Sequence, residues 1–375
     1  AGQGLGVLKP KRPRVPTLGI DSPDGQKALS KNNMISDRLL EPLDESELEV
    51  WESNGLQRRK QKDRLAVLLP SFEYQIMRLN RFNFATLLGI ALSLSATAAS
   101  APDPTPMVAV GPQYGSTHVY VAREDVDRFV ASFLATFGGQ GTKPVVTTVT
   151  PTPSSMFSEL LKTPVGMVSL FGFKTPIPYP FGAERTGYLV TDMDAAVAAA
   201  RAAGADVLVS PFPDPIGRDA VIQWPGGVDM QLYWHTATPS YPPLQTVPEN
   251  RVYLPADRVA AFVAGFIAFS HGTVTSDVPN APGIEIGRSS DTHRRVRIDS
   301  AFGRMTLFVT DGHLPFPYGQ EITGYEVGNL ADTLAKAKAA GVELLVQPYS
   351  ADHRESAMVR FPGGYIAEIH EAAGQ

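Results

Sequence analysis

ITGYEVGNLADTLAKAKAAGVELLVQP (322–348), followed ten residues later by MVRFPGGYIAEIHE (358–371), reads as half of a folding unit. Its opening TGYEV is strand-like, and the stretch from Leu330 carries apolar residues at helical spacing. Gly341 stands where a helix needs a left-handed terminal residue, and PGG at 362–364 turns one strand back on the next. The same order occurs 137 residues upstream, in RTGYLVTDMDAAVAAARAAGADVLVSP (185–211) and IQWPGGVDMQLYWH (222–235), with Gly204 and PGG at 225–227 in the matching places. Working outward, THVYVAREDVDRFVASF (117–133) matches NRVYLPADRVAAFVAGF (250–266) at an offset of 133, and PIPYPFG (176–182) recurs as PFPYG (315–319). Such a period outranks any single motif in deciding a fold. In copy one the pattern predicts a strand at 118–121, a helix at 125–137 and strand-like runs at 144–150 and 166–173. A strand at 186–190, a helix at 193–203 and strands at 206–210, 220–224 and 228–234 complete it. Alternate prolines in PIPYP and PFPYG predict an extended chain there, or tyrosines (Tyr179, Tyr318) at a cleft mouth.

Over about residues 115–371 this arrangement resembles the glyoxalase/bleomycin-resistance/dioxygenase group, the vicinal oxygen chelate superfamily. The resemblance implies an α+β fold of two tandem domains, 115–236 and 249–371, joined by a Pro-rich linker at 237–248. Each domain is then built of paired βαβββ units forming an open, cleft-shaped, eight-stranded sheet. The implied activity is that of a glyoxalase-like lyase, isomerase or dioxygenase acting on a small oxygenated molecule. The same scaffold also hosts non-catalytic proteins that sequester a small ligand, so both classes stay open.

Enzymes of the superfamily hold a divalent ion with side chains from the first strand of a copy, the strand opening its second half, and the last strand. Carried onto this chain, those positions are His118 and Gln231 in copy one, and Arg251 and Glu368 in copy two. The middle position falls near Arg185 to Gly187 and Ile322 to Gly324, where no usual ligand stands. The resemblance thus implies one ion, iron, zinc, nickel or manganese, on His118 and Gln231, while the departures leave a metal-free protein as the alternative. His118 would act as ligand or base and Glu368 as carboxylate base or ligand. Arg251 opposite Glu368 reads as a guanidinium–carboxylate pair standing where a cation would have been.

Alternation along 228–235 puts Val228, Met230, Leu232 and Trp234 on one face and Asp229, Gln231, Tyr233 and His235 on the other. His118 and Tyr120 share a face of the first strand. A cleft lined by His118, Tyr120, Gln231, Tyr233 and His235 would take a small polar or aromatic ligand; the alternative is an edge strand showing polar residues to water. Arg251 and His370, which shares the face of Glu368, would line the second cleft. His271, His293, His313 and His353 lie in turn-rich or charged surroundings and read as solvated.

The 375-residue chain has no cysteine, which excludes disulfides, thiolate metal sites and a cysteine nucleophile. A formal net charge of −5 argues against nucleic acid as a partner. MRLNRFNFATLLGIALSLSATAASA (77–101) has the basic, apolar and small-residue parts of a signal peptide, cleaved after Ala98 or Ala101. The alternative is an uncleaved anchor over Phe82 to Ala99. The expectation is translation from Met77, with 1–76 an unstructured extension, and a periplasmic or secreted protein, touching membrane only if that segment is retained. A small-molecule ligand is the expected partner, and the tandem copies are expected to form an internal pseudo-dimer within a monomer.

Overall fold

The computed structural model describes residues 107–373. The 1–76 extension and the 77–101 segment therefore lie outside the described residues. Among the described residues no helix is long and apolar enough to cross a membrane.

Copy one runs β1 (Gly115–Ala122), α1 (Val126–Phe137), β2 (Gln140–Gly141), β3 (Val145–Thr147), β4 (Met156–Thr163) and β5 (Gly166–Phe173). Its second half is β6 (Thr186–Leu189), α2 (Met193–Ala202), β7 (Asp206–Pro213), β8 (Gly217–Trp224) and β9 (Val228–His235). Copy two repeats this as β10 (Glu249–Leu254), α3 (Ala256–Ser270), β11 (Thr273–Pro282), β12 (Thr292–Ser300) and β13 (Gly303–Val309). It ends with β14 (Ile322–Glu326), α4 (Leu330–Ala339), β15 (Glu343–Ala351), β16 (Arg354–Arg360) and β17 (Ile366–Ala372). The first sheet has the order β2-β4-β5-β1-β6-β9-β8-β7, with β3 on β4, and the second β11-β12-β13-β10-β14-β17-β16-β15. In each, two half-sheets join through one antiparallel pair, β1 with β6 and β10 with β14. This is the α+β architecture of paired βαβββ units expected from the repeat.

Two local expectations change. β4 lies in a stretch to which the sequence pattern assigns no element: Met156–Thr163 holds Glu, Leu and Lys, which favour helix over strand, and pairing with β5 along its whole length overrides that preference. PIPYP and PFPYG are turns rather than extended chain, closed by Phe181 N donating to Pro178 O and Tyr318 N to Pro315 O, both at 2.9 Å. Tyr179 there is exposed. Helices α2 and α4 start alike, with the side chains of Asp192 and Asn329 accepting from Ala195 N and Asp332 N. Both stop at glycines, Gly204 and Gly341, at φ 91° and 81°, a region that costs an L side chain strain.

The helices lie between the two sheets, and the apolar core crosses the copies. Phe129, Phe133 and Phe137 of α1 pack with Tyr325, Phe361 and Ile369 of copy two. Conversely, Trp224, Met230 and Leu232 of copy one pack with Phe262, Phe266 and Phe269 of α3. At the junction the Thr117 and Thr323 hydroxyls are hydrogen-bonded at 3.0 Å, while Asn250, the counterpart of Thr117, reaches toward Thr186, the counterpart of Thr323, at 3.5 Å. Burying the helical faces leaves the opposite face of each sheet for a cleft.

Candidate functional site

In the first sheet β1 and β6 are adjacent, and β6 pairs in parallel with β9, so Gly187 lies beside Ser116 on one side and Gln231 on the other. This brings His118, Gln231, Tyr233 and His235 into one cleft with a cavity of about 180 Å³. Ser116, Ser169, Asp219 and Tyr241 add polar groups, and Leu160, Met167, Phe171 and Ile216 add apolar walls. A few convergent polar groups among apolar walls is the usual make-up of a small-molecule site. β9 is an interior strand between β6 and β8, and Asp229 and Gln231 are buried, so the solvated edge-strand alternative does not hold.

His118 is 2% exposed, its ring edge-on to Phe171 at 5.3 Å. Its Nδ1 faces Glu184 Oε1 at 3.6 Å. Glu184 is fully buried; Oε1 accepts from the Tyr120 hydroxyl, and Oε2 has no hydrogen-bond partner among the described residues. Tyr120 therefore stands behind the site on Glu184 rather than lining the cleft, with its pKa well above the ordinary value because of burial and then the Glu184 charge. Asp219 lies directly across from Tyr233. Burial and the nearby Asp214 push its carboxyl well up, against a hydrogen bond from Gln231. Burial lowers His235, and Tyr233 donates to Tyr114 O. Asp229 is not at the cleft: it accepts from Gln223 at 2.8 Å.

Glu184, Asp219, Ser116, Ser169 and Tyr241 were not legible as site residues. A signal existed for Glu184, since a Glu stands two residues before TGY in both copies, as Glu184 and as Glu321. Tyr241 sits in the segment read as a linker, yet it packs on Tyr114 at 5.4 Å between ring centroids.

In the second sheet the matching place is filled with charge. Arg251, 1% exposed, bonds Glu249 at 2.9 Å, faces Glu368 at 3.5 Å and lies over the Phe308 ring. His370 Nδ1 is 2.8 Å from Glu368 Oε2, and Arg354 holds Glu249 from the other side. Burial disfavours the Glu368 charge, but Arg251, His370 and Arg354 outweigh it and hold the carboxyl at about 2. His293 corrects the solvated reading given to it: it is buried against Glu285 at 3.4 Å, and burial with Arg295 and Arg251 lowers its pKa to about 4. His271, His313 and His353 are exposed.

The residues present do not fit the divalent ion that the resemblance implies. A Cβ on Gly187 would overlap His118 Nε2 and lie 2.9 Å from its Cε1 and 3.0 Å from Tyr233 Cε1. One on Gly324 would lie 2.6 Å from Glu368 Oε2 and 3.1 Å from Arg251 Cδ. The middle ligand position is thus glycine in both copies, with its side-chain space already taken. Copy one is left with two neutral donors, His118 and Gln231, and copy two carries a permanent guanidinium. Among the described residues no group of three His, Cys, Asp or Glu could hold a metal.

No family model and no curated protein matches the sequence. Solved structures similar to this chain include a variant of 4-hydroxymandelate synthase from Streptomyces coelicolor, at 14% identity and TM-score 0.47, covering 71% of this chain and 94% of that one. A Mn(II)-bound glyoxalase from Novosphingobium aromaticivorans aligns at 15% identity and TM-score 0.43, covering 69% and 81%. A 2,3-dioxygenase from Pseudomonas sp. KL28 aligns at 12% identity and TM-score 0.42, covering 71% and 94%. The strand order and paired βαβββ units described above are the α+β architecture that the sequence resemblance implies.

Proposed function

We propose that the protein acts on a small oxygenated organic molecule in the first-copy cleft, as a glyoxalase-like isomerase or lyase whose proton transfers are made by side chains. The observation that carries this reading is the buried Glu184 facing Nδ1 of His118 at 3.6 Å. A carboxylate there favours the tautomer with hydrogen on Nδ1, leaving the lone pair on Nε2, the ring nitrogen that stands against Gly187. The gap is longer than a hydrogen bond, and such contacts commonly tighten when substrate binds. In the proposed step, Nε2 of His118 takes a proton from carbon next to a carbonyl, forming an enolate and an imidazolium stabilised by Glu184. The Gln231 amide and Asp219, whose burial favours its neutral hydrogen-bond-donating form, stabilise the enolate oxygen. On a hydroxyketone, passage of the hydroxyl proton to the former carbonyl oxygen and return of the His118 proton to the former carbonyl carbon complete an isomerisation. Arg251 and Glu368 hold each other in copy two and take no part.

A second reading, sequestration without turnover, is favoured by the glycine at the middle ligand position of both copies. One experiment separates the two: hydroxyketones, aldehydes and catechols are titrated with the protein by calorimetry, then incubated in deuterium oxide and read by NMR. Binding with deuterium incorporation that disappears in His118→Ala supports the enzyme. Binding without incorporation supports sequestration, and binding by none of them refutes both.

A further inference from the structure

Copy two holds a separate cavity of about 270 Å³ whose walls include Glu249, Arg297, Thr306, Asp352, Arg354 and His370. Arg297 of β12 and Thr306 of β13 are direct partners in the strand register, so their side chains rise together from the same face. Arg297 Nη1 contacts Asp352. Its Nε and Nη2 are buried without a hydrogen-bond partner among the described residues, and so is Thr306 Oγ1. Buried donors without acceptors are costly, so three of them at one cavity point to an acceptor that arrives from outside. The Nε/Nη2 edge of a guanidinium is a planar fork matched to two oxygens of one carboxylate. The Arg297 charge is also poorly compensated: burial and Arg354 disfavour it more than Glu249 and Asp352 support it.

We propose that this second-copy cavity binds a small organic carboxylate, its two oxygens on the Arg297 fork and one of them also on the Thr306 hydroxyl. Four carboxylates, Glu249, Asp299, Glu326 and Asp352, share the walls with Arg297, Arg304 and Arg354, and they disfavour a doubly charged phosphate more than a singly charged carboxylate. Carboxylate binding here requires nothing from the His118 cleft.

The test is calorimetric titration of the full chain with acetate, pyruvate and benzoate, with inorganic phosphate as comparator, at constant ionic strength. At least one carboxylate is expected to bind saturably and more tightly than phosphate. Arg297→Gln should weaken it roughly ten- to hundredfold, as expected for loss of a charged two-point contact. Thr306→Val, which keeps shape, should weaken it about threefold to tenfold and serves if Arg297→Gln does not fold. His118→Ala should leave carboxylate affinity unchanged. Tighter phosphate binding, no saturable carboxylate binding, or affinity lost in His118→Ala but kept in Arg297→Gln would each overturn the assignment.

Discussion

Changing Glu368 to Gln removes a single charge from a deeply buried ion pair and keeps the side chain's shape. Arg251 would then be left with Glu249, which Arg354 already shares, and His370 would lose its charged partner. The magnitude follows from the carboxyl itself. It titrates at about 2 in the folded protein, against about 4.3 for an unperturbed Glu, which corresponds to about 3 kcal/mol. Unpairing a buried ion independently costs about 3–5 kcal/mol. Because the folded value is the lower one, this stabilisation is complete above the unfolded pKa and is lost as pH falls toward 2. Urea unfolding followed by tryptophan fluorescence, with Trp224 buried in the core, should show Glu368→Gln less stable by about 3 kcal/mol at pH 7. The gap should narrow to less than about 1 kcal/mol near pH 2, where the wild-type carboxyl is half protonated or more. A variant as stable as wild type at pH 7, or a gap that does not change with pH, would refute the view that Glu368 is held ionised by Arg251.

Gly187→Ala would push its Cβ into the His118 ring; overpacking of this kind costs about 1–3 kcal/mol, and calorimetry should show ligand binding in the first cleft lost while carboxylate binding in the second persists. Glu184→Gln keeps the Tyr120 contact but removes the charge behind His118, so deuterium exchange into a bound carbonyl compound should slow by about 10²-fold with little change in affinity. Phe133→Ala empties a position packed against Tyr325 and Phe361 and should cost about 3–5 kcal/mol, read as one cooperative transition because the site belongs to both copies. Replacing Arg251 with Met and Glu368 with Leu together should recover most of the loss seen in Glu368→Gln, since an apolar pair needs no compensation; a double variant weaker than the single one would argue against that ledger.

The repeat was legible because its punctuation is local. Gly204 and Gly341 end helices, the two PGG turns reverse the chain, and alternation in 228–235 sorts the faces of β9. His118, Gln231, Tyr233 and His235 could be brought together for the same reason, as each lies on a strand whose face follows from parity. β4 was not legible, because its residues prefer helix and only the partner strand decides the matter. Glu184 was missed because it lies in a loop just before β6, where no periodicity tells direction. His293 looked solvated among arginines, yet its neighbour Arg295 is itself buried through Glu285 and Asp352, and His293 lies against the same Glu285. Networks of this sort depend on contacts between distant strands, about which composition says nothing.

The crossing of the core between copies separates what can drift from what cannot. α1 answers to the second half of copy two, and α3 to the second half of copy one, so a change on a helical face must suit residues more than a hundred positions away. The cleft faces carry no such obligation to each other. A duplicated chain built this way keeps its two halves locked on the inside while the outside of each is at liberty to specialise. One copy has kept a cleft lined by histidines and tyrosine, and the other has become a lattice of arginines and carboxylates. Cutting the chain at the Pro-rich connection would therefore yield two pieces, each exposing half of a core, and neither a working version of its own cleft.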